Sequence, residues 1–242
     1  MKGVIAQINP RARIIDINHQ IPPQNIAAAR FCLMNAYDYF PQGTVHVAVV
    51  DPGVGGKRRA NAVQLANGFL IAPDNGLLSG VISQHHVIAA VELTNKKYWY
   101  TPTPSNTFHG RDIFAPVGAY LANGVKLEEL GMTIDPATLV KLELVECIYY
   151  ADRIAGCIQY IDNFGNLVTN IPSNYVEDKN WYVQVGDRTI SNYSTYAQVE
   201  IGQAVALIGS HGWVEVAVNS GNAQLQLQME LGSAITVTWH VR

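Results

Sequence analysis

The chain has 242 residues, of which 48% are hydrophobic and 14% are charged, and its formal net charge is -3 at pH 7. This length and apolar content suffice for one large domain or two modest ones. Apart from Lys57, Arg58 and Arg59 the basic residues are scattered, and no apolar run approaches the ~20 residues that cross a bilayer, so we expect neither nucleic-acid binding nor membrane association.

The first half of the chain alternates segments typical of strands with segments typical of helices. GVIAQINP and ARIIDIN indicate strands, whereas NIAAARFCLMNAYDYF has apolar residues at the three- and four-residue spacing of a buried helix face. We then predict a buried strand at TVHVAVV, two strands around an Asn-Gly turn at NAVQLANGFLIAP, a short helix at GLLSGVIS, a strand at HVIAAVEL and a helix at DIFAPVGAYLANG. This alternation predicts an α/β domain over residues 1–140, with a mostly parallel sheet flanked by helices.

The second half has short strand-like segments separated by Gly, Asn, Asp and Ser turns, and no helix of ordinary length. The strand-like segments are RIAGCIQYID, LVTNI, WYVQVG, AVALIGS, WVEVAV, AQLQLQME and AITVTWHV. They predict a small all-β barrel or sandwich over residues 154–242, joined to the first domain by a connector at 141–153.

The cysteines and histidines form no pattern typical of a metal site. Cys32, Cys147 and Cys157 contain no CxxC pair, and the adjacent histidines at 85 and 86 point their side chains apart. We therefore expect no metal, and we expect reduced thiols. The start of the chain lacks the basic and apolar regions of a signal peptide, so we expect a cytoplasmic protein.

Two loops in the first half place polar residues where α/β folds bind ligands. In VVDPGVGGKRR, Asp51 stands at the carboxyl end of a strand, and the glycines after it allow either a close approach to a ligand or a simple Asp-Pro turn with a solvated basic tip. In SNTFHGRDIFAP, His109 lies at a strand-to-helix corner and Asp112 is predicted to cap the helix. A single histidine is more often structural than catalytic, so the local pattern leaves both interpretations open.

A turn in the second half combines a carboxylate, amides and an aromatic ring. IDNFGNLVTNI holds Asp162, Phe164 and Asn166, a set suited to gripping a polar ligand with a flat ring, or to forming an ordinary hairpin turn. GSHGWVEVAVNSGNA also places Ser, His and Asn in turns around a strand.

Five motifs together resemble, in the same order, the S-adenosyl-L-methionine (SAM) hydroxide adenosyltransferase family. They are MKGVIAQINPRARIIDINHQIPP, GTVHVAVVDPGVGGKRR, APDNGLLS, SNTFHGRDIFAP and IDNFGNLVTNI. Members of this family hydrolyse SAM to adenosine and methionine and are related to fluorinases and chlorinases. The resemblance implies an α/β domain followed by a β barrel, no cofactor, and a homotrimer whose substrate lies between the N-terminal domain of one subunit and the C-terminal domain of the next.

The resemblance also implies roles for individual residues. The water-activating Asp-Arg-His set of the family falls on Asp51, Arg58 and His109, and Gly110 stands where halogenating relatives carry a serine, which favours water over halide. The implied substrate contacts are Asp162 with the methionine amino group, Phe164 lining the pocket, Asn166 beside the adenine, Tyr196 stacking on the ring, Ser210 at the methionine carboxylate, and the backbone of Val218 and Ser220 at the adenine edge.

The start of the chain departs from the family pattern. Family members begin upstream of the segment that matches MKG with a buried strand and an aspartate that holds the ribose hydroxyls, so we expect either an upstream start or a reduced ribose site. Our leading expectation is hydrolysis of SAM by water or hydroxide at C5′. A non-catalytic adenosine- or SAM-binding protein and a halide-dependent adenosyl transferase are the alternatives.

Overall fold

The structure, a computed structural model, describes residues 1–239. Its contacts divide the chain into two compact units, Met1–Leu142 and a second that begins at Glu143. Each unit has its own hydrophobic core. The division falls inside the segment 141–153 that the sequence predicts as a connector.

The first unit is built on a five-stranded mixed sheet with the order β1-β3-β2-β4-β5. Its strands are β1 (Thr44–Val47), β2 (Ala60–Leu65), β3 (Gly68–Pro73), β4 (Val87–Glu92) and β5 (Met132–Ile134). β1 and β3 are parallel, whereas the other three neighbouring pairs are antiparallel. The prediction of a mostly parallel sheet is therefore wrong. The predicted hairpin is confirmed, but its two-residue turn is Ala66 and Asn67, because Gly68 already pairs with Leu65 in β3. So short a turn is one reason for the antiparallel pairing, because a parallel crossover needs a longer connection.

Helices pack around this sheet. They are α1 (Lys2–Ile8), α2 (Ile26–Ala36), α3 (Ser79–Gln84) and α4 (Ala115–Ala122), with one π-helical turn at Gly110–Phe114 directly before α4. The strand predicted at GVIAQINP is wrong, since these residues form α1, which packs against α4. Residues 12–18, also predicted as a strand, have no regular secondary structure. Single 3-10 turns lie at Tyr37–Tyr39, Lys96–Tyr98, Leu127–Glu129 and Pro136–Thr138.

The second unit is an antiparallel, nearly closed barrel, as predicted. Seven strands follow the order β10-β9-β13-β7-β8-β12-β11, and β6 pairs with β7. An isolated bridge between Asn192 and Ala206 brings the segment after β10 beside β11, which nearly closes the sheet. The strands are β6 (Ile148–Tyr149), β7 (Arg153–Ile161), β8 (Leu167–Pro172), β9 (Trp181–Val185), β10 (Arg188–Ser191), β11 (Ala204–Ile208), β12 (Trp213–Val218) and β13 (Ala234–Trp239).

One strand predicted in the second unit is instead a helix, and the last predicted strand extends past residue 239. The strand predicted at AQLQLQME is wrong, because Asn222 caps a helical turn by accepting a hydrogen bond from the Leu225 N–H (2.9 Å), and the chain forms α5 (Ala223–Leu227). The last predicted strand covers residues 234–241 and corresponds to β13. Residues 240 and 241 of that predicted strand lie outside the described residues. Single 3-10 turns lie at Ser173–Tyr175 and Tyr196–Gln198. Across residues 1–239, no helix is long and apolar enough to cross a membrane.

Candidate active site

Asp51 and Arg58 form a buried ion pair in the loop between β1 and β2. The Arg58 Nε donates to Asp51 Oδ1 and Oδ2 at 2.9 and 3.1 Å, and the Arg58 Nη2 also contacts Asp51 Oδ2. The Asp51 side chain is 5% exposed and the Arg58 side chain 12% exposed. A guanidinium held by a carboxylate in this way has a fixed orientation. Arg58 is thus not part of a solvated tip, in contrast to the second interpretation of this loop.

His109 joins this pair from a second loop, just before the π-helical turn. Its Nδ1 lies 2.8 Å from the Arg58 Nη2. A guanidinium can only donate, so Nδ1 accepts, and the neutral imidazole then carries its proton on Nε2. Burial lowers the pKa of His109, and the charge of Arg58 lowers it further, against smaller opposing effects of Asp51 and Asp112. His109 is therefore a neutral ring whose Nε2–H can donate to an oxygen.

Close packing fixes the two loops relative to each other. Gly55 has φ +74, and a Cβ there would lie 2.2 Å from the carbonyl oxygen of Asn106, so a side chain cannot fit. The guanidinium carbon of Arg58 lies 5.4 Å from the centre of the fully buried Phe114 ring. The Asp51, Arg58 and His109 cluster is therefore held in place before any ligand binds.

Asp112 and Arg111 form an ion pair that supports the loop holding His109. The fully buried Asp112 accepts from the Arg111 Nε (2.6 Å) and Nη2 (3.0 Å) and from the backbone N–H of Ser105 (2.8 Å). The helix-cap role predicted for Asp112 is wrong, because it lies inside the π-helical turn and His109 occupies the cap position. Asp112 instead fixes the path of the chain leading to His109.

The predicted turn in the second unit connects β7 to β8. Asp162 Oδ1 accepts from the backbone N–H groups of Phe164 and Asn166, and Oδ2 accepts from the Asn166 side-chain amide, all at 2.9 Å. The Phe164 ring is 75% exposed, whereas Asn166 is buried. The hairpin-turn interpretation is therefore correct. A carboxylate oxygen accepts about two hydrogen bonds, so Oδ2 can also accept from a ligand, and the two interpretations are compatible.

The structure places Ser210 and the pair Val218 and Ser220 at opposite ends of β12. Ser210 is exposed in the β11–β12 turn, Val218 is the buried last residue of β12, and Ser220 follows it with φ +55. The carbonyl of Val218 accepts from the Gly221 N–H at 3.0 Å. β12 spans about 17 Å at the usual rise per residue, so a ligand that touches both ends must lie along the strand.

Tyr196 lies on the outer side of the barrel and is 43% exposed. Its hydroxyl donates to Glu215 Oε1 at 2.8 Å. Burial raises the Tyr196 pKa, the bond to Glu215 raises it further, and the charge of Asp162 adds to the effect. Tyr196 is thus neutral at physiological pH and lies within electrostatic reach of Asp162.

The histidines, cysteines and acidic residues form no evident metal site. Within residues 1–239, no group of three or more of their side chains could hold a metal ion. The arrangement of Asp51, Arg58 and His109 instead suits the stabilisation of an anion, because it combines a fixed guanidinium with a neutral imidazole that carries a donor on Nε2.

Two family models match the chain. The SAM hydroxide adenosyltransferase N-terminal domain matches residues 1–131, and the corresponding C-terminal domain matches residues 156–236. The chain belongs to the SAM hydroxide adenosyltransferase family.

Individual relatives agree with this family assignment. The chain is 39% identical to the (R)-S-adenosyl-L-methionine hydrolase of Salinispora tropica, over 98% of this chain and 90% of the relative. A fluorinase from an Actinoplanes species is 28% identical over 98% of this chain and 91% of the relative. The crystal structure of an uncharacterised conserved protein from Thermotoga maritima superposes with a TM-score of 0.91 at 35% identity, over 98% of this chain and 93% of that one.

Gly110, which follows His109, is buried but not sterically required. A Cβ at Gly110 would lie 3.4 Å from the Met1 sulfur and 3.7 Å from side-chain atoms of Phe108 and Val49. These are ordinary or slightly tight contacts with side chains. The backbone thus leaves room for a Cβ at this position, so neither a steric clash nor backbone strain explains the glycine.

Two residues of the site are missing from the sequence-based prediction. Phe114 lies beneath Arg58, but nothing in the sequence separates it from the other apolar residues of its helix. Glu215 was detectable, because it is the one charged residue in the otherwise apolar segment WVEVAV. A lone carboxylate in a buried strand is costly without hydrogen-bond donors, so its presence there predicts donors beside it.

Proposed function

We propose that this protein hydrolyses SAM to adenosine and L-methionine by attack of water or hydroxide at C5′. The observation that carries the proposal is the buried cluster in which Arg58 holds both Asp51 and a neutral His109. Membership of the SAM hydroxide adenosyltransferase family and the similarity to a SAM hydrolase support the same substrate and reaction.

The chemistry of the substrate matches what the cluster can supply. As the C5′–O bond forms, the C5′–S bond breaks and its electron pair neutralises the sulfonium, so methionine leaves as a neutral thioether and needs no general acid. The remaining requirement is an oriented nucleophile in line with the C5′–S bond. Arg58 and the His109 Nε2–H lower the free energy of hydroxide beside them, Asp51 fixes their orientation, and the proton of the water passes to solvent. The proposal includes no metal or cofactor.

In this proposal the second unit binds the substrate along β12. Gly110 lies beside the nucleophile, and Asp162 accepts from the methionine ammonium group. The further contacts are Ser210 at the methionine carboxylate, Phe164 lining the pocket, Tyr196 stacking on the ring, Asn166 beside the adenine, and the backbone of Val218 and Ser220 at the adenine edge. The position of Ser210 and Ser220 at opposite ends of one strand supports an extended ligand.

The direct test is incubation of the protein with SAM, followed by chromatography of the products. Adenosine and methionine in equal amounts are the expected result. Binding of SAM without adenosine would favour a non-catalytic binding protein. A 5′-halogenated nucleoside formed on addition of chloride or fluoride would favour a halide-dependent transferase, which the similarity to a fluorinase makes worth testing.

The activity is expected to fall at acidic pH as His109 becomes protonated. Protonation removes the acceptor for Arg58 and places two cations in contact. Burial and Arg58 lower the His109 pKa below its ordinary value of 6.5, so kcat/KM should rise with pH through a midpoint below 6.5 and then level off. Between the folded-state pKa of His109 and 6.5, the unfolded chain binds more protons than the folded chain does. The contribution of His109 to the free energy of unfolding is therefore present above pH 6.5 and is lost as the pH falls through the folded-state pKa.

A pH–rate profile of the wild type and of His109→Gln measures this effect. The variant should lose the acidic limb from its residual activity, because glutamine does not titrate. A midpoint above 6.5 in the wild type would contradict the assignment of the limb to His109.

Replacing Asp162 with asparagine is expected to raise KM for SAM about 10- to 100-fold, because the methionine ammonium group loses a charged acceptor. The new amide also faces the Asn166 amide, donor against donor. Steady-state kinetics measure the change. The matched control is Asp187→Asn, an exposed aspartate in the β9–β10 turn, which should keep the wild-type KM. An unchanged KM in Asp162→Asn would remove Asp162 from the substrate site.

We also propose a homotrimer with active sites shared between subunits, a cytoplasmic location, and domain boundaries at 1–140, 141–153 and 154–242. The family resemblance supports the trimer. Cys32, Cys147 and Cys157 are free thiols, as expected in the cytoplasm. Light scattering coupled to size-exclusion chromatography tests the trimer, since a monomer would have a mass of 26.5 kDa.

A further inference from the structure

Glu215 is a buried carboxylate on the outer face of the barrel. Val214, Val216 and Val218 of the same strand belong to the barrel core, so the alternation of β12 turns Glu215 away from that core. The residue is nevertheless only 4% exposed, because neighbouring groups cover it. A buried carboxylate is costly unless hydrogen-bond donors surround it, so its contacts carry information.

Two aromatic side chains donate to this carboxylate. The Tyr196 hydroxyl lies 2.8 Å from Oε1, and the His211 Nε2 lies 3.0 Å from Oε2. The backbone N–H of Trp213 donates to His211 Nδ1 at 3.2 Å, which fixes the tautomer in which Nε2 carries the proton. The ring also packs against Gly209, where a Cβ would lie 2.3 Å from His211 Cε1. Both rings are thus held at one end by Glu215.

The location of these rings relates them to the proposed substrate site. Glu215 lies midway along β12, between the turn that holds Ser210 and the end that holds Val218. Burial and the bond to Glu215 raise the Tyr196 pKa, and the charge of Asp162 is near enough to raise it further. The Tyr196 ring is partly exposed, so its free face can contact a ligand while its hydroxyl is anchored.

We infer that Glu215 is a positioning residue for substrate binding, which orients the Tyr196 and His211 rings along β12 without touching the substrate itself. This inference rests on the proposed function and adds a residue and a role to it. A tyrosine or histidine ring that is held in its bound orientation loses less conformational entropy on binding, so an anchor of this kind improves affinity. Since the reacting atoms are elsewhere, Glu215 should influence KM rather than kcat.

The test is Glu215→Gln, which keeps the size of the side chain. A glutamine offers one acceptor oxygen, so at most one of the two donors keeps its partner. We expect KM for SAM to rise about tenfold, with kcat within about twofold of the wild type. Glu230→Gln is the matched control, because Glu230 is exposed, and its KM should be unchanged. A wild-type KM in folded Glu215→Gln, or a loss of kcat at constant KM, would overturn the inference.

A second readout reports the role of Glu215 directly. In ¹⁵N spectra of the histidine rings, the His211 Nε2–H signal, assigned by its loss in His211→Asn, should shift in Glu215→Gln because its charged acceptor is lost, while the Trp213 N–H keeps the tautomer unchanged. Unchanged His211 signals would contradict the inference. If Glu215→Gln does not fold, Tyr196→Phe removes one of the two anchors and should still raise KM, whereas a wild-type KM in that variant would overturn the inference.

The inference and the proposed function can fail separately. If the wild type binds SAM without releasing adenosine, the proposed reaction is wrong, and calorimetric Kd values for SAM then replace KM in the same comparison. A Kd that is about tenfold weaker in Glu215→Gln than in Glu230→Gln would still support the positioning role.

Discussion

Replacing His109 with alanine is expected to slow adenosine release about 100- to 1,000-fold, with little change in KM. The variant removes the Nε2–H donor next to the nucleophile and leaves the Arg58 Nη2 without its acceptor, while the Arg58 to Asp51 ion pair stays in place. The lost hydrogen bond acts mainly on the developing nucleophile, so the substitution should lower kcat and leave KM nearly unchanged. Initial rates of adenosine formation over a range of SAM concentrations measure it.

His86→Ala is the matched control, because His86 is exposed and distant in sequence from the cluster, and its turnover should equal that of the wild type. Circular dichroism of His109→Ala should match the wild type, since His109 is only partly buried and the turn backbone does not depend on its ring. A kcat within about threefold of the wild type in a folded variant would remove His109 from the catalytic role.

The order of secondary-structure elements was largely predictable, but the direction of the strands was not. Hydrophobic periodicity identifies β2, β3, β4 and the barrel strands, and the Asn-Gly turn identifies one hairpin. Hydrophobic periodicity carries no information on which strands become neighbours. The prediction of a mostly parallel sheet rests only on the alternation of strand-like and helix-like segments, and it is wrong. At α1 and α5, short apolar runs fit both a strand and a helix, and tertiary packing or a cap decides between them.

The arrangement of the Asp51, Arg58 and His109 cluster was predictable only in part. Local sequence could not separate Arg58 from Lys57 and Arg59, because their orientation depends on the loop path. The structure turns Arg58 towards Asp51 and Arg59 towards Asp74, so neighbours in sequence serve different carboxylates. The predicted residues Asp51 and His109 are separated by 58 positions in the chain, and only the family resemblance related them before the fold was known.

Replacing Arg58 with methionine is expected both to abolish detectable adenosine release and to destabilise folding by about 3–5 kcal/mol. The Asp51 side chain is 5% exposed, so the variant leaves a buried carboxylate without its cation. Adding Asp51→Asn removes that charge and should restore most of the stability, but not the activity, because the donor to His109 remains absent. Urea unfolding and adenosine release, measured on the same preparations, separate the two effects.

Arg59→Met provides a matched comparison at the adjacent position. Arg59 also pairs with a carboxylate that is 5% exposed, Asp74, through its Nε at 2.7 Å. Removing Arg59 should therefore also destabilise folding, though less, because the backbone N–H of Val140 still donates to Asp74 at 2.9 Å and Arg59 is more exposed than Arg58. The folded fraction should keep its kcat, because Arg59 does not contact His109. If both arginine variants lost kcat equally at matched folded fractions, the loss would reflect general stability of the loop, and Arg58 would have no distinct role in activating water.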